Sequence, residues 1–107
     1  MINNTKIRFN QDDLDYSVEL MKALAHPLRL KILEFIDTQE LINVNKIYNT
    51  LKIEQSITSQ HLRILRLAGV VNAKREGKFI YYNINYDVVS KASKAVNNFL
   101  RSPAKVG

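Results

Sequence analysis

Five side chains in the stretch SITSQHLRILRLAGVV, residues 56–71, could do chemistry together. At about 100° per residue, Ser56, Ser59, Gln60, Arg63 and Arg66 gather on one side of a helix, with Gln55 just ahead of them. They supply hydroxyls, an amide and two guanidinium cations, with no carboxylate among them. A solvated helix ordinarily mixes signs, because Glu–Lys pairs four residues apart are favourable. A face made only of hydrogen-bonding and cationic groups suits an anionic surface. Ile57, His61, Ile64, Leu65 and Ala68 fall on the other side, with Leu62 at its edge. Thr58 falls inward, between Leu62 and Leu65, and is expected to pack.

Other chemistries find little support. There is no cysteine, which excludes disulfides, thiolate metal sites and thiol redox chemistry. The two histidines stand apart. His26 precedes Pro27 at a helix start, where it would cap that helix or fill the corner. His61 is expected to be a hydrogen-bonded core residue. Asp15 and Glu19 lie in the first turns of a helix, where negative charge complements the dipole. No Gly-rich phosphate loop and no nucleophile–base pair occurs, so the chain does not read as an enzyme, and no catalytic, metal or cofactor residues are expected.

The elements that must position the polar face follow from periodicity. The chain has 107 residues, 46% of them hydrophobic and 24% charged, with three Gly and two Pro, which suits one globular domain over 1–107. DDLDYSVELMKALA, residues 12–25, is a helix with one stripe of Leu14, Val18, Met21 and Ala25 and a second of Leu20 and Leu24. PLRLKILEFIDT is a second helix with Leu28, Ile32, Leu33 and Phe35 or Ile36 inward, and QELIN connects it onward. VNKIYNTL, residues 44–51, is a short helix, and KIEQ turns into the longer one. Gly69 stands where a helix C-terminus needs positive φ. Residues 44–68 therefore spell a helix-turn-helix. VVNAKREGKFIYYNI, residues 70–84, reads as a β-hairpin turning at Glu76-Gly77, with Ile80, Tyr82 and Ile84 inward and Tyr81 outward. Residues 86–100 form a last helix, and 101–107 a frayed tail. The whole is mainly α with a small hairpin.

Charge follows the same division. Residues 1–55 hold seven Lys and Arg against eight Asp and Glu, whereas residues 56–80 hold five against one. Lys74, Arg75 and Lys78 gather at the hairpin tip, beside the helix face. Such a localised basic stripe suits a polyanion, although a solvated basic surface would give the same pI. The opening residues hold no signal-peptide run and no segment approaches a membrane span, so the expectation is a cytoplasmic protein without membrane contact.

Three segments in this order and spacing, ALAHPLRLKILEFI, SITSQHLRILRLAGVV and KREGKFIYYNI, resemble the ArsR-type winged-helix transcriptional regulators over about residues 14–100. The resemblance implies a winged helix of about five helices and a two-stranded wing. It also implies a homodimer that binds double-stranded operator DNA, usually as a repressor. The recognition helix would enter the major groove with Ser56, Ser59, Gln60 and Arg63. The wing would touch backbone or minor groove through Lys74, Arg75 and Lys78. Helices 12–25 and 86–100 would dimerise through Leu14, Val18, Met21, Val89, Ala92, Val96 and Phe99; both have more apolar surface than a small core can use.

Where family members hold metal with a Cys-Val-Cys-like element, this chain has Asn43-Val44-Asn45. Amides are poor ligands for zinc or arsenic. The last helix offers Asp87 but no His or Glu through residue 100, so the chain reads as a member that senses no metal. The releasing signal stays open between a small molecule in the dimer crevice, a protein partner and none. The alternative function is a winged-helix adaptor for protein partners, which would not need a carboxylate-free recognition face.

Overall fold

The computed structural model describes residues 11–94. Helix α1 (Gln11–Leu24) hands over to α2 (Pro27–Gln39) through a two-residue joint. Pro27 opens α2 because it lacks an N–H that the first turn would leave unpaired anyway. His26 caps the helix: its Nδ1 accepts from the Leu28 N–H at 3.1 Å. Beyond α2, Glu40 takes φ +66° and the Leu41 N–H donates to the Gln39 carbonyl at 2.7 Å, a tight three-residue turn. The chain then makes strand β1 (Ile42–Asn43), α3 (Val44–Leu51), α4 (Gln55–Leu67), β2 (Val71–Glu76) and β3 (Phe79–Ile84). A further helix, α5, is described over residues 86–94. Asn85 caps it, with Oδ1 accepting from Val88 N–H at 3.4 Å.

The wing has three strands, antiparallel, in the order β1-β3-β2. Strand β1 lies inside the segment expected to be a plain connector. Ile42 sits opposite Tyr82 and is buried, but a two-residue strand is too short to show alternation. The hairpin turn is also one residue later than expected. Glu76 pairs with Phe79, which leaves Gly77-Lys78 as the loop with Gly77 at φ +62°. Glycine at the first of two loop positions supplies the positive φ that matches strand twist.

The core lies where α1, α2, α3, α4 and the sheet meet. Leu20, Ile32, Ile36, Ile47, Leu62, Leu65, Val70 and Val71 are its most buried aliphatic members, and Tyr82 closes it from the wing. Ile36 rather than Phe35 is the deeply buried choice in α2. Burying such side chains contributes about 1.5–3 kcal/mol each, so α4 is held from below.

The expected dimer residues divide. Val18 and Met21 are 37% and 44% exposed on α1, next to Tyr16 at 46%, so the outer stripe of that helix is open. Val89 is half-buried against the core. Ala92 is only 4% exposed inside the protomer's own core, which corrects its assignment to an interface: a methyl group covered by its own chain has no surface left for a second one. The Leu14 side chain, Val96 and Phe99 lie outside the described residues, as do the C-terminal part of helix 86–100 and the tail 101–107. Among the described residues no helix is long and apolar enough to cross a membrane.

Candidate nucleic-acid interface

The turn between α3 and α4 is built by backbone geometry. The Lys52 and Ile53 N–H groups both donate to the Tyr48 carbonyl, with Lys52 in the left-handed conformation at φ +56°. A left-handed residue closing a helix at this position is usually glycine. Asn43 starts α3, its Oδ1 accepting from the Lys46 N–H at 2.9 Å. The asparagine at the cysteine-like position thus works as a helix cap. Helix α4 stops at Gly69, φ +80°, where the Val70 N–H reaches the Leu65 carbonyl at 2.9 Å.

Thr58, Leu62 and Leu65 are fully buried and define the inner face of α4. The Thr58 hydroxyl donates to the Glu54 carbonyl at 3.0 Å, which satisfies it locally and lets it sit among aliphatic neighbours. With that inner face, Ser56, Gln60 and Arg63 form an exposed strip directly opposite the core, and Ser59 and Arg66 flank it. No side chain caps the first turn of α4 at Glu54, so its free N–H groups add to the donors available for a phosphate. Arg66 lies toward the sheet. Its positive charge acts on the Tyr82 hydroxyl, whose pKa burial pushes above the usual tyrosine value and Arg66 partly pulls back.

Two details of α4 differ from the sequence reading, and a third, Leu67, lies outside it. Ile57, expected inward, is 38% exposed beside Ser56 and Gln60. Leu67 is 68% exposed on the same outer strip. Both are apolar side chains bordering the polar face and were missed as surface contributors. His61 was expected to be hydrogen-bonded, but its Nδ1 is buried with no hydrogen-bond partner, and its ring rests against His26. Thr58 and Tyr82 point inward as expected.

The wing cations are brought together less fully than the helix residues. Lys74 is cross-strand from Tyr81 and Arg75 from Ile80, so these neighbours face opposite sides of the hairpin. Lys74 pairs with Glu76 at 3.3 Å on the surface, a contact worth about 0–1 kcal/mol that a phosphate could replace. Arg75 Nε donates to the Gly77 carbonyl at 3.4 Å. Lys78 lies over the Phe79 ring, 5.7 Å from its centroid.

Comparison with known proteins points the same way. A family model described as "Bacterial regulatory protein, arsR family" matches residues 26–73, from the α2 cap into β2. The transcriptional repressor PagR of Bacillus anthracis is 40% identical over 84 residues, 78% of this chain and 84% of that protein. Its crystal structure superposes with a TM-score of 0.65 at 41% identity, over 71% of this chain and 86% of that one. Reduced HlyU from Vibrio cholerae N16961 superposes with a TM-score of 0.67 at 30% identity, over 78% of this chain and 87% of that one.

Proposed function

The chain belongs to the arsR family of bacterial regulatory proteins, and from that premise we propose a homodimeric repressor that reads an imperfect palindrome in operator DNA. It is a DNA-binding transcriptional regulator and not an enzyme. The observation that carries the finer reading is the exposed, carboxylate-free strip of Ser56, Gln60 and Arg63 on a helix whose opposite side is locked by Thr58, Leu62 and Leu65.

Each group has a physical role. Gln60 has the two-pronged amide that matches an adenine edge, and Arg63 the fork that matches a guanine edge or a phosphate. Ser56 and Ser59 suit phosphates or either base class. Lys74, Arg75 and Lys78 act as charges on the backbone or in the minor groove, releasing counterions and making the affinity depend steeply on salt. The open stripe of Val18 and Met21 on α1 meets the same stripe of a second copy, joined by Val89 and by Leu14, Val96 and Phe99. The two-fold axis then sets the recognition helices about 34–36 Å apart, one turn of duplex or a multiple. This regulator acts in the cytoplasm, where its operator is.

Selection from a pool of random duplexes by the purified protein, at moderate salt, tests the proposal. A two-fold-related motif among the survivors is expected. Retention of every sequence alike, fading as salt rises, would overturn sequence reading and leave a basic surface on a protein adaptor.

A further inference from the structure

His61 lies midway along the recognition helix, and its ring packs on that of His26, with centroids 4.7 Å apart and planes inclined at 58°. His26 is not a free partner. Its Nδ1 is committed to the Leu28 N–H, which caps α2. Arg29, in the first turn of α2, reaches back to donate from Nη2 to the Lys22 carbonyl of α1 at 3.4 Å. One corner therefore ties α1, α2 and α4 together. Two nitrogens in it are buried without a hydrogen-bond partner, His61 Nδ1 and Arg29 Nε.

This corner tolerates neutral imidazoles and resists protons. A bare, unprotonated Nδ1 on His61 is a mild defect, whereas a second proton would bury an N–H⁺ with no acceptor. Burial first, then the charges of His26 and Arg29, hold the His61 pKa below the ordinary imidazole value of 6.5. Those two are the charged groups that act on it from α2 and the joint before it; α1 contributes the Lys22 carbonyl through Arg29. On α4 its polar neighbours one turn or less away are Thr58, Ser59, Gln60 and Arg63, of which Arg63 alone is charged. Because the folded pKa is depressed, the contribution to stability is complete above pH 6.5 and is lost as pH falls below it.

We propose that the His26–His61 contact is a proton-sensitive seat for the recognition helix, so that specific DNA binding weakens in mild acid. The inference rests on the DNA-binding reading above, with both histidines as positioning residues that touch no base. Its sign is diagnostic. Added positive charge by itself would tighten binding to a polyanion as pH falls, and the seat predicts the reverse.

The test uses the duplex selected at pH 7.5 and a scrambled duplex, with affinity measured at pH 7.5 and 5.5 at one ionic strength. Wild type should lose about tenfold on the selected duplex, or about 1.4 kcal/mol, while His61→Gln stays flat or tightens. His26→Asn keeps a good helix cap and should flatten the profile too, so the result does not depend on one variant folding. Thermal unfolding without DNA is followed over the same pH range, and wild type should lose more stability in acid than His61→Gln. Wild-type binding that tightens in acid, or identical pH profiles for wild type and both variants, would overturn the seat. If no duplex is ever selected, the DNA-binding reading fails, and the unfolding comparison still decides the seat.

Discussion

Lys52→Gly should stabilise the protein, and the size of the effect can be worked from the turn it occupies. Lys52 sits at φ +56°, ψ +50°, with its own N–H and that of Ile53 both on the Tyr48 carbonyl. A side chain in that conformation crowds its Cβ against the following carbonyl, at a cost of about 1–2 kcal/mol. Glycine removes the clash but gives the unfolded chain more freedom, a loss of about 0.4–1 kcal/mol. The net gain is about 0.5–1 kcal/mol, which for a domain of this size raises Tm by about 2–8 °C. Lys52→Ala is the control, because it removes the charge and the long stem but keeps the Cβ, and its Tm should stay near wild type. The assay is thermal unfolding by circular dichroism of all three proteins at pH 7.5. Equal Tm for the Gly and Ala variants would refute the reasoning, because the backbone conformation would then cost no more than the freedom glycine adds to the unfolded chain.

Further expectations concern the interface and its support. Arg63→Ala should cost about 1–3 kcal/mol on the selected duplex and less on a random one, whereas Lys78→Ala should weaken both alike and lower the salt slope by about 1; fluorescence anisotropy across a salt series separates them, and equal losses for Arg63→Ala would refute base reading. Met21→Glu, on a side chain already 44% exposed, should leave the protomer folded but monomeric in sedimentation equilibrium; a dimer that persisted would move the interface elsewhere. Thr58→Val should change stability by less than about 1.5 kcal/mol, because the Glu54 carbonyl keeps the Thr58 N–H at 2.9 Å after the hydroxyl is gone. A larger loss in urea unfolding would show that the hydroxyl has a second partner.

The helices were legible because each is announced by chemistry that acts locally. Pro27 after His26 starts α2 and Gly69 ends α4, and both work through the few backbone groups beside them; Asn43, noted only for standing at the cysteine-like position, starts α3 in the same local way. The hairpin was legible for the same reason, with an error of one residue, because both Glu76-Gly77 and Gly77-Lys78 place a glycine in a two-residue loop. Strand β1 was not legible. Its reason for existing is Tyr82, some forty residues later in the chain, and no local pattern carries that information.

The rotation of α4 about its own axis was half legible, and the missing half matters most for function. Counting apolar residues put the inner side around His61 and Ile64, whereas the buried centre is Thr58, Leu62 and Leu65, roughly 80° away at 100° per residue. Thr58, already expected inward, marks the true centre better than the apolar residues do. Thr58 can be wholly buried because its hydroxyl bonds to the carbonyl one turn back, so a residue that counts as polar behaves as core. Once Thr58 is inside, Ile57 and His61 must move toward the flank. His61 is thereby carried to the corner where His26 waits, and Ser56, Gln60 and Arg63 turn squarely away from the core. The misplaced centre thus hid the histidine contact and left the polar strip intact, because that strip spans a wide enough arc to survive the rotation. A face defined by five residues of one chemical character is robust to such an error; a contact between two rings is not.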